Sequence, residues 1–412
     1  EIAQCLVGSE MCIRDSIITM KRFNFKTASL LCGSALLISA ALSSCGSDNN
    51  EPDPNKPGEE EVDSKNLDYS SDNADGWHNY SVRVAELLAR DSEELCNSWN
   101  VSYDGGESYA NIFRSANSSA YPNYVSCIEE IIDGCRDIAG EVGDAKIGDP
   151  YDLYVQGKRE EALYAVESWY SWHSRDDYAN NILSIRNSYL GSLDGSVNAK
   201  SISALVNSID KDLDNTTKTL IENARKAIID IPQPFRNHIN SMEALAAQTA
   251  CGELENHLEN TLKAFFQNLP ASHDDQLKEI VGNYVDNVVL PTYGMLKERN
   301  NALLQTVKDL ASSRNNAAFE KACQAWLSAR EPWEESEAFL FGPVDALGLD
   351  PNMDSWPLDQ DAIVNHLKSG NFNDLNWGDG DDDDKIEAAQ NIRGFHTLEF
   401  LLFKDGQPRK VN

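Results

Sequence analysis

Leu277-Lys278-Glu279-Ile280-Val281-Gly282-Asn283-Tyr284-Val285-Asp286-Asn287-Val288-Val289 is the stretch that decides the fold class of this chain. Leu277, Ile280, Val281, Tyr284, Val285, Val288 and Val289 recur at spacings of three and four, which gathers them into one apolar stripe along a helix. Such a helix is stable only against other apolar surfaces, so it belongs to a bundle. Similar stripes occupy roughly 74–98, 121–142, 176–190, 199–228, 236–268, 301–330 and 383–403, and no long alternating β-branched run competes with them. The chain is therefore predicted to be all-α. Pro291, Pro332 and the pair Pro232/Pro234 should end or kink helices where they fall.

The last of these stripes carries chemistry. Gly394-Phe395-His396-Thr397-Leu398-Glu399 sets an imidazole and a carboxylate one helical turn apart, on one face, within a run that continues Phe400-Leu401-Leu402-Phe403. Burying both groups is costly unless each has a partner. A satisfied core pair is the plain reading of an isolated H-x-x-E. Because a strained buried charge is easily dispensed with, Glu399→Ala is expected to destabilise less than Leu398→Ala if the carboxylate is kept for binding.

Three further segments change the weight of that motif. Upstream stand Arg330-Glu331-Pro332-Trp333-Glu334-Glu335-Ser336-Glu337-Ala338-Phe339 and Trp356-Pro357-Leu358-Asp359. Near the beginning stand Glu141-Val142-Gly143-Asp144-Ala145-Lys146-Ile147-Gly148-Asp149-Pro150 and Glu167-Ser168-Trp169-Tyr170-Ser171-Trp172-His173-Ser174-Arg175-Asp176. Together with the G-x-H-x-x-E element these resemble the signature segments of the imelysin-like family, with the family's second half placed before its first. The resemblance implies an all-α fold of two similar four-helix-bundle-like domains in a circularly permuted arrangement. The domains are expected at 67–240 and 241–412, the latter carrying the motif. A truncated tandem protein would give the same order. Chain ends that meet on the surface make permutation physically tolerable. A short repeat agrees with two similar halves: Glu107-Ser108-Tyr109-Ala110-Asn111-Ile112-Phe113 and Glu335-Ser336-Glu337-Ala338-Phe339-Leu340-Phe341 share E-S-x-A-x-x-F. Aligning Gly134 with Gly394 sets Arg136 opposite His396 and Ala139 opposite Glu399, so the pair occurs in one half alone.

The N-terminal region reads as processing signals. Residues 1–19 carry no targeting logic and are taken as an artefactual leader. From Met20, the basic residues Lys21, Arg22 and Lys26 precede the apolar run Ala28 to Leu42, which makes 20–44 a signal peptide closing on Leu42-Ser43-Ser44-Cys45, a lipobox form. Cys45 is the expected lipidation site and 45–66 an acidic tether without stable structure. The expected location is the outer membrane of a Gram-negative bacterium, facing the periplasm or displayed outside, with the membrane reached through the lipid anchor.

The formal net charge of −32, without a Lys/Arg stripe, excludes nucleic acid as a natural partner. Asp379-Gly380-Asp381-Asp382-Asp383-Asp384 lacks the ligand spacing of an EF-hand loop and reads as a solvated loop. Cys96, Cys127, Cys135, Cys251 and Cys323 form no C-x-x-C and read mostly as small buried apolar residues.

Candidate ligand-binding residues are His396, Glu399, Glu337, Arg330, Trp356, Asp359, Glu167, Ser171, Lys146 and Asp149, of which His396 and Glu399 are the candidate metal ligands. Asp359 also suits a helix N-cap, and Ser174 with Asp177 suits a capping box. Neither H-E-x-x-H nor H-x-x-E-H occurs, and two ligands do not close a zinc site, so catalysis has less support than binding. The resemblance supplies a link to iron, haem or another divalent metal and to iron-uptake components. Three readings follow: a non-catalytic binding protein of iron or haem uptake, a metal-dependent surface peptidase, and a structural or adhesive lipoprotein.

Overall fold

The computed structural model describes residues 67–378 and 380–411. The leader, the signal peptide, Cys45 and the tether of 45–66 lie outside the described residues. Most of the described residues are helical, with one two-residue hairpin, Phe403–Lys404 against Gln407–Pro408. The all-α expectation is met.

Two rings of four helices form the core. One joins Ala74–Asn100, Leu290–Ser313, Asn316–Glu334 and Gly394–Leu402, each packed on the next. The other joins Tyr124–Gly140, Ser174–Leu190, Lys211–Asp230 and Met242–His257 in the same way. Packing therefore does not divide at 240/241. The first long helix leaves its sequence neighbours and completes the ring made by the C-terminal segments, because Trp77 Nε1 donates to Leu401 O (2.8 Å) and Tyr80 OH donates to Ile392 O (2.5 Å). Both aromatics are fully buried. Met242–His257, in turn, packs on Lys211–Asp230 and belongs with the earlier segments. The two repeated E-S-x-A-x-x-F stretches meet through Phe113 and Phe341, whose ring centroids lie 5.4 Å apart.

Several expected helices are broken for visible reasons. The 301–330 stripe is two helices separated at Arg314, which has φ 47, and Asn315, whose side chain accepts from Ala318 N. The 199–228 stripe breaks at Asp210, which caps the second piece through Asp212 N and Leu213 N. The 383–403 stripe breaks before Gly394. Pro291, by contrast, does not end its helix. A π-helical stretch, Val285–Val289, precedes it, and the chain runs on as Leu290–Ser313. A widened turn removes the N–H demand that proline cannot meet. Pro332 is likewise carried inside Asn316–Glu334, two residues from its end, while Lys211–Asp230 stops just before Pro232.

The acidic loop behaves as a solvated cap. Asp382 caps Asp383–Gln390 and Asp381 pairs with Lys385 at 2.8 Å. Cys127, Cys135, Cys251 and Cys323 are buried free thiols and Cys96 is half-buried.

Candidate functional site

Arg330 is the centre of a buried charge cluster. Its helix places Arg330 and Glu334 one turn apart, and the guanidinium reaches Glu334 Oε1 at 2.5 Å, Asp177 Oδ2 at 3.6 Å and Asp354 through a short contact. No part of the Arg330 or Glu334 side chain is exposed. Trp333 Nε1 donates to Asp354 Oδ2 (2.7 Å) and Asn181 Nδ2 donates to Glu334 Oε2 (2.5 Å). Asp354 closes the short helix Leu349–Asp354.

His396 and Glu399 lie against this cluster. Gly394 has φ +86, and a Cβ there would come within 2.5 Å of Met353 O, so only glycine lets the Gly394–Leu402 helix begin this close to Asp354. His396 Nε2 then sits 3.2 Å from Asp354 Oδ1, while Nδ1 sits 3.0 Å from Glu399 Oε2. Arg330 Nη2 approaches His396 Nε2 at 3.4 Å, and the Trp356 ring packs edge-on against the imidazole at 4.9 Å.

The segments from 141 to 181 supply the other side. Ser168 (φ 48) and Trp172 (φ 63) hold left-handed backbone, a strain of about 1–3 kcal/mol each that aims the turn between them. From that turn Ser171 N donates to Glu399 Oε1 (2.7 Å), and its hydroxyl goes instead to Ser168 O (3.4 Å). Because Ser171 acts through its main chain, Ser171→Ala should shift stability by less than about 1 kcal/mol and leave ligand binding unchanged. A large loss of binding in that variant would assign the hydroxyl a role the geometry denies it.

Lys146 stands on a π-helical stretch, Glu141–Gly148, a widened turn of the kind often found at functional sites. Its ammonium is nearly buried, 3.0 Å from Glu167 Oε2 and 3.5 Å from Glu141 Oε1. Burial opposes the charge, but Glu167, Glu337, Glu141 and Glu334 outweigh it and hold the lysine protonated. Glu337, in the turn after the Arg330 helix, is 7 % exposed.

The carboxyls diverge in character. Burial pushes Glu334 up to about 8 against the pull of Arg330, and burial with the neighbouring Asp354 pushes Asp350 up to about 7. Burial also raises Glu337, with Lys146 opposing. Asp354 would be raised by burial, yet Arg330 and His396 hold it below the usual range. His173 Nδ1 lies 2.8 Å from Asp177 Oδ1, and Ser168 Oγ donates to Asp177 Oδ2 (2.5 Å). Burial opposes the charge on both, but their mutual attraction carries His173 up to about 9 and Asp177 down to about 2. Asp177, lowered from 3.8, stabilises fully above that value and loses the contribution as pH falls through 2; His173, raised from 6.5, stabilises fully below 6.5 and loses it as pH rises through 9. The pair should thus contribute most between about pH 4 and 6.5. Urea melts of wild type and His173→Asn across pH 4–10 should converge at the alkaline end; a constant gap would contradict the assignment.

The structure brings Arg330, His396, Glu399 and Trp356 into direct contact with the cluster, joins Ser171 to it by main chain, and places Lys146, Glu167 and Glu337 around its edge. It separates two others. Asp359 caps Gln360–Ser369 through Ala362 N (2.9 Å), and Asp149 is an exposed residue at the start of Asp149–Val155. Of the expected metal ligands, His396 has a carboxylate at each ring nitrogen, and Glu399 takes Ser171 N on one oxygen and His396 on the other. The oxygens that converge instead belong to Glu334, Glu337 and Asp354, within 4.8 Å of one another. The capping box also fails. Ser174 Oγ donates to Glu167 O (2.5 Å), and Asp177 turns inward to His173 and Arg330. Sequence reasoning missed Asp177, Glu334, Asp354 and Asn181. The i,i+4 spacings of Arg330/Glu334 and His173/Asp177 were the available signal.

A bundle of helices that buries a shared set of carboxylates, an arginine and a histidine is a class of protein in which the site, not the fold, carries the function. Residues 53–261 and 289–411 match the imelysin family, peptidase family M75. The chain belongs to the imelysin family. It is similar to a crystal structure described as an imelysin peptidase from Bacteroides ovatus, with 59% identity and a TM-score of 0.84 over 85% of this chain and 100% of that one. It is also 31% identical over 137 residues to iron-regulated protein A of Synechococcus elongatus; the match covers 32% of this chain and 33% of that relative's length.

Proposed function

We propose that this chain is a lipid-anchored, non-catalytic binding protein of bacterial iron acquisition that holds iron or haem at the Arg330 cluster. The observation that carries this reading is the surplus of acid. Asp177, Glu334, Glu337 and Glu399 are buried, with Asp354, Glu167 and Asp350 beside them, against Arg330, Lys146 and two histidines. A cluster that served packing alone would be more stable neutralised or replaced by apolar groups. The name of the Synechococcus relative supplies the connection to iron.

Anchoring at Cys45 and residence at the outer membrane rest on the signal and lipobox reading of 20–45, and partnership with iron-uptake components rests on the family link. A permuted family order is supported by the exchanged signature segments and by the ring that unites Ala74–Asn100 with the C-terminal helices. Asp68 pairs with Lys404 and Arg409 at 2.7 Å each, which brings the two ends of the described chain together. The peptidase reading draws on the Bacteroides ovatus relative.

Full-length protein purified without chelators should bind iron or haem saturably, one per chain, and leave peptide substrates intact. Turnover of a peptide that disappears in Glu334→Gln would favour the peptidase reading, and absence of both binding and turnover would leave a structural lipoprotein.

A further inference from the structure

We propose that the cavity of about 210 Å³ lined by Arg90, Asn352, Trp377 and Arg393 is a binding site for a small organic carboxylate. Its walls come from the helix Ala74–Asn100, the short helix Leu349–Asp354 and the segment after Asn373–Leu375, together with Arg393, the residue before the Gly394–Leu402 helix. None of its lining residues belongs to the Arg330 cluster, so the site adds to the function proposed above and does not depend on it.

Two guanidiniums share one carboxylate there. Asp91, 1 % exposed, accepts from Arg90 Nε (2.9 Å) on Oδ1 and from Arg393 Nη2 on Oδ2. Both of its oxygens are thus engaged, and one positive charge is left over beside the cavity. Glu94, the other acid of the lining, is exposed, where water and salt screen it. Burial lowers the Arg393 pKa against the pull of Asp91, and Arg90 and Arg83 add like-charge repulsion. An anion in the cavity would relieve that repulsion. In a chain of formal net charge −32, a local surplus of positive charge is unusual enough to need a partner.

Hydrogen-bond donors are in surplus as well. A guanidinium carries five N–H groups. Among the described residues Arg393 uses Nε on Asn352 O (3.2 Å), Nη1 on Leu375 O (3.3 Å) and Nη2 on Asp91, which leaves two N–H groups. Arg90 uses Nε and Nη2 on Asp91 and Nη1 on Asn376 Oδ1 (3.3 Å), and also keeps two. Asn352 is 5 % exposed; its Oδ1 accepts from Gln390 Nε2 (2.9 Å), while its amide nitrogen makes no hydrogen bond among the described residues. Leaving a nearly buried amide donor without a partner is costly, and a ligand oxygen would remove the cost. Guanidinium donors match the two oxygens of a carboxylate in geometry and charge. The half-buried Trp377, its ring centroid 5.2 Å from the Arg393 guanidinium carbon, adds indole surface for the body of a planar acid. The volume is that of about seven liquid waters, which admits a monocyclic acid and excludes a porphyrin or a peptide chain.

Full-length chain titrated with benzoate, followed by saturation-transfer NMR and calorimetry, tests the site. One saturable site with a Kd of about 1 mM or tighter is expected. Benzamide, of the same shape without the charge, should bind at least about 10-fold more weakly. Arg90→Gln and Trp377→Leu should each weaken benzoate by about 10-fold or more with unchanged circular dichroism. The Arg90 side chain is half exposed and Asp91 keeps Arg393, so the first variant retains its fold. Equal affinity for benzoate and benzamide, or wild-type affinity in both variants, would overturn the proposal. So would the absence of saturable benzoate binding, or tighter binding of inorganic phosphate than of benzoate, which would make this a site for simple anions.

Discussion

Arg330→Met is expected to lower the unfolding free energy by about 3–5 kcal/mol, the loss typical of removing one partner from a buried ion pair. Methionine fills much of the same volume, so little of this loss comes from a cavity. What is lost is the charge that Asp354, Glu334 and Asp177 share in a site closed to water. Without the guanidinium those carboxyls would take up protons, so the folded state would hold more protons than the unfolded state at neutral pH. Stability then falls as pH rises, and the defect should be larger at pH 8 than at pH 5. Urea melts at the two values measure it. A loss below about 1 kcal/mol, or one independent of pH, would mean that the acids are compensated by something other than Arg330.

Glu399→Ala should cost about 3–5 kcal/mol, at least as much as Leu398→Ala, whose expected loss is about 2–5 kcal/mol. The sequence alone suggested the reverse order, because a carboxylate in an apolar run looks like a strained charge. The structure shows it fully buried and fully used, with Ser171 N on one oxygen and His396 on the other. Alanine would leave a main-chain N–H and an imidazole without partners. Glu399→Gln keeps an acceptor for Ser171 and should recover a substantial part of the loss. If Glu399→Gln unfolds as readily as Glu399→Ala, charge rather than hydrogen bonding is what the site requires. Denaturant melts of the three variants decide between these outcomes.

The helical class was legible because stripes such as Leu277 to Val289 follow from backbone geometry alone. Helix ends were less so. A break at Arg314 depends on one left-handed residue and a cap, and a proline such as Pro291 is tolerated when a π-turn precedes it. Domain membership was not legible: that Trp77 and Tyr80 bond to Leu401 and Ile392 is a contact across more than 300 residues, which no local pattern encodes. For the site, the motif segments marked the right neighbourhood, since 167–177, 330–337 and 394–399 do converge. Individual roles were harder. Asp177 had the spacing of a capping residue, and only the approach of Arg330 from another helix turns it inward. Asp359 had a motif position and is a cap. Ser171 had a motif position and contributes its N–H.

On the function proposed above, the Arg330 cluster is where this protein holds its ligand. Its most direct test is an anomalous-scattering map at the iron edge, from crystals of full-length protein loaded with Fe³⁺ or haem. The account predicts a peak inside the cluster, bordered by Glu334, Glu337 and Asp354. Iron found solely on surface acids, with the cluster unchanged, would contradict it.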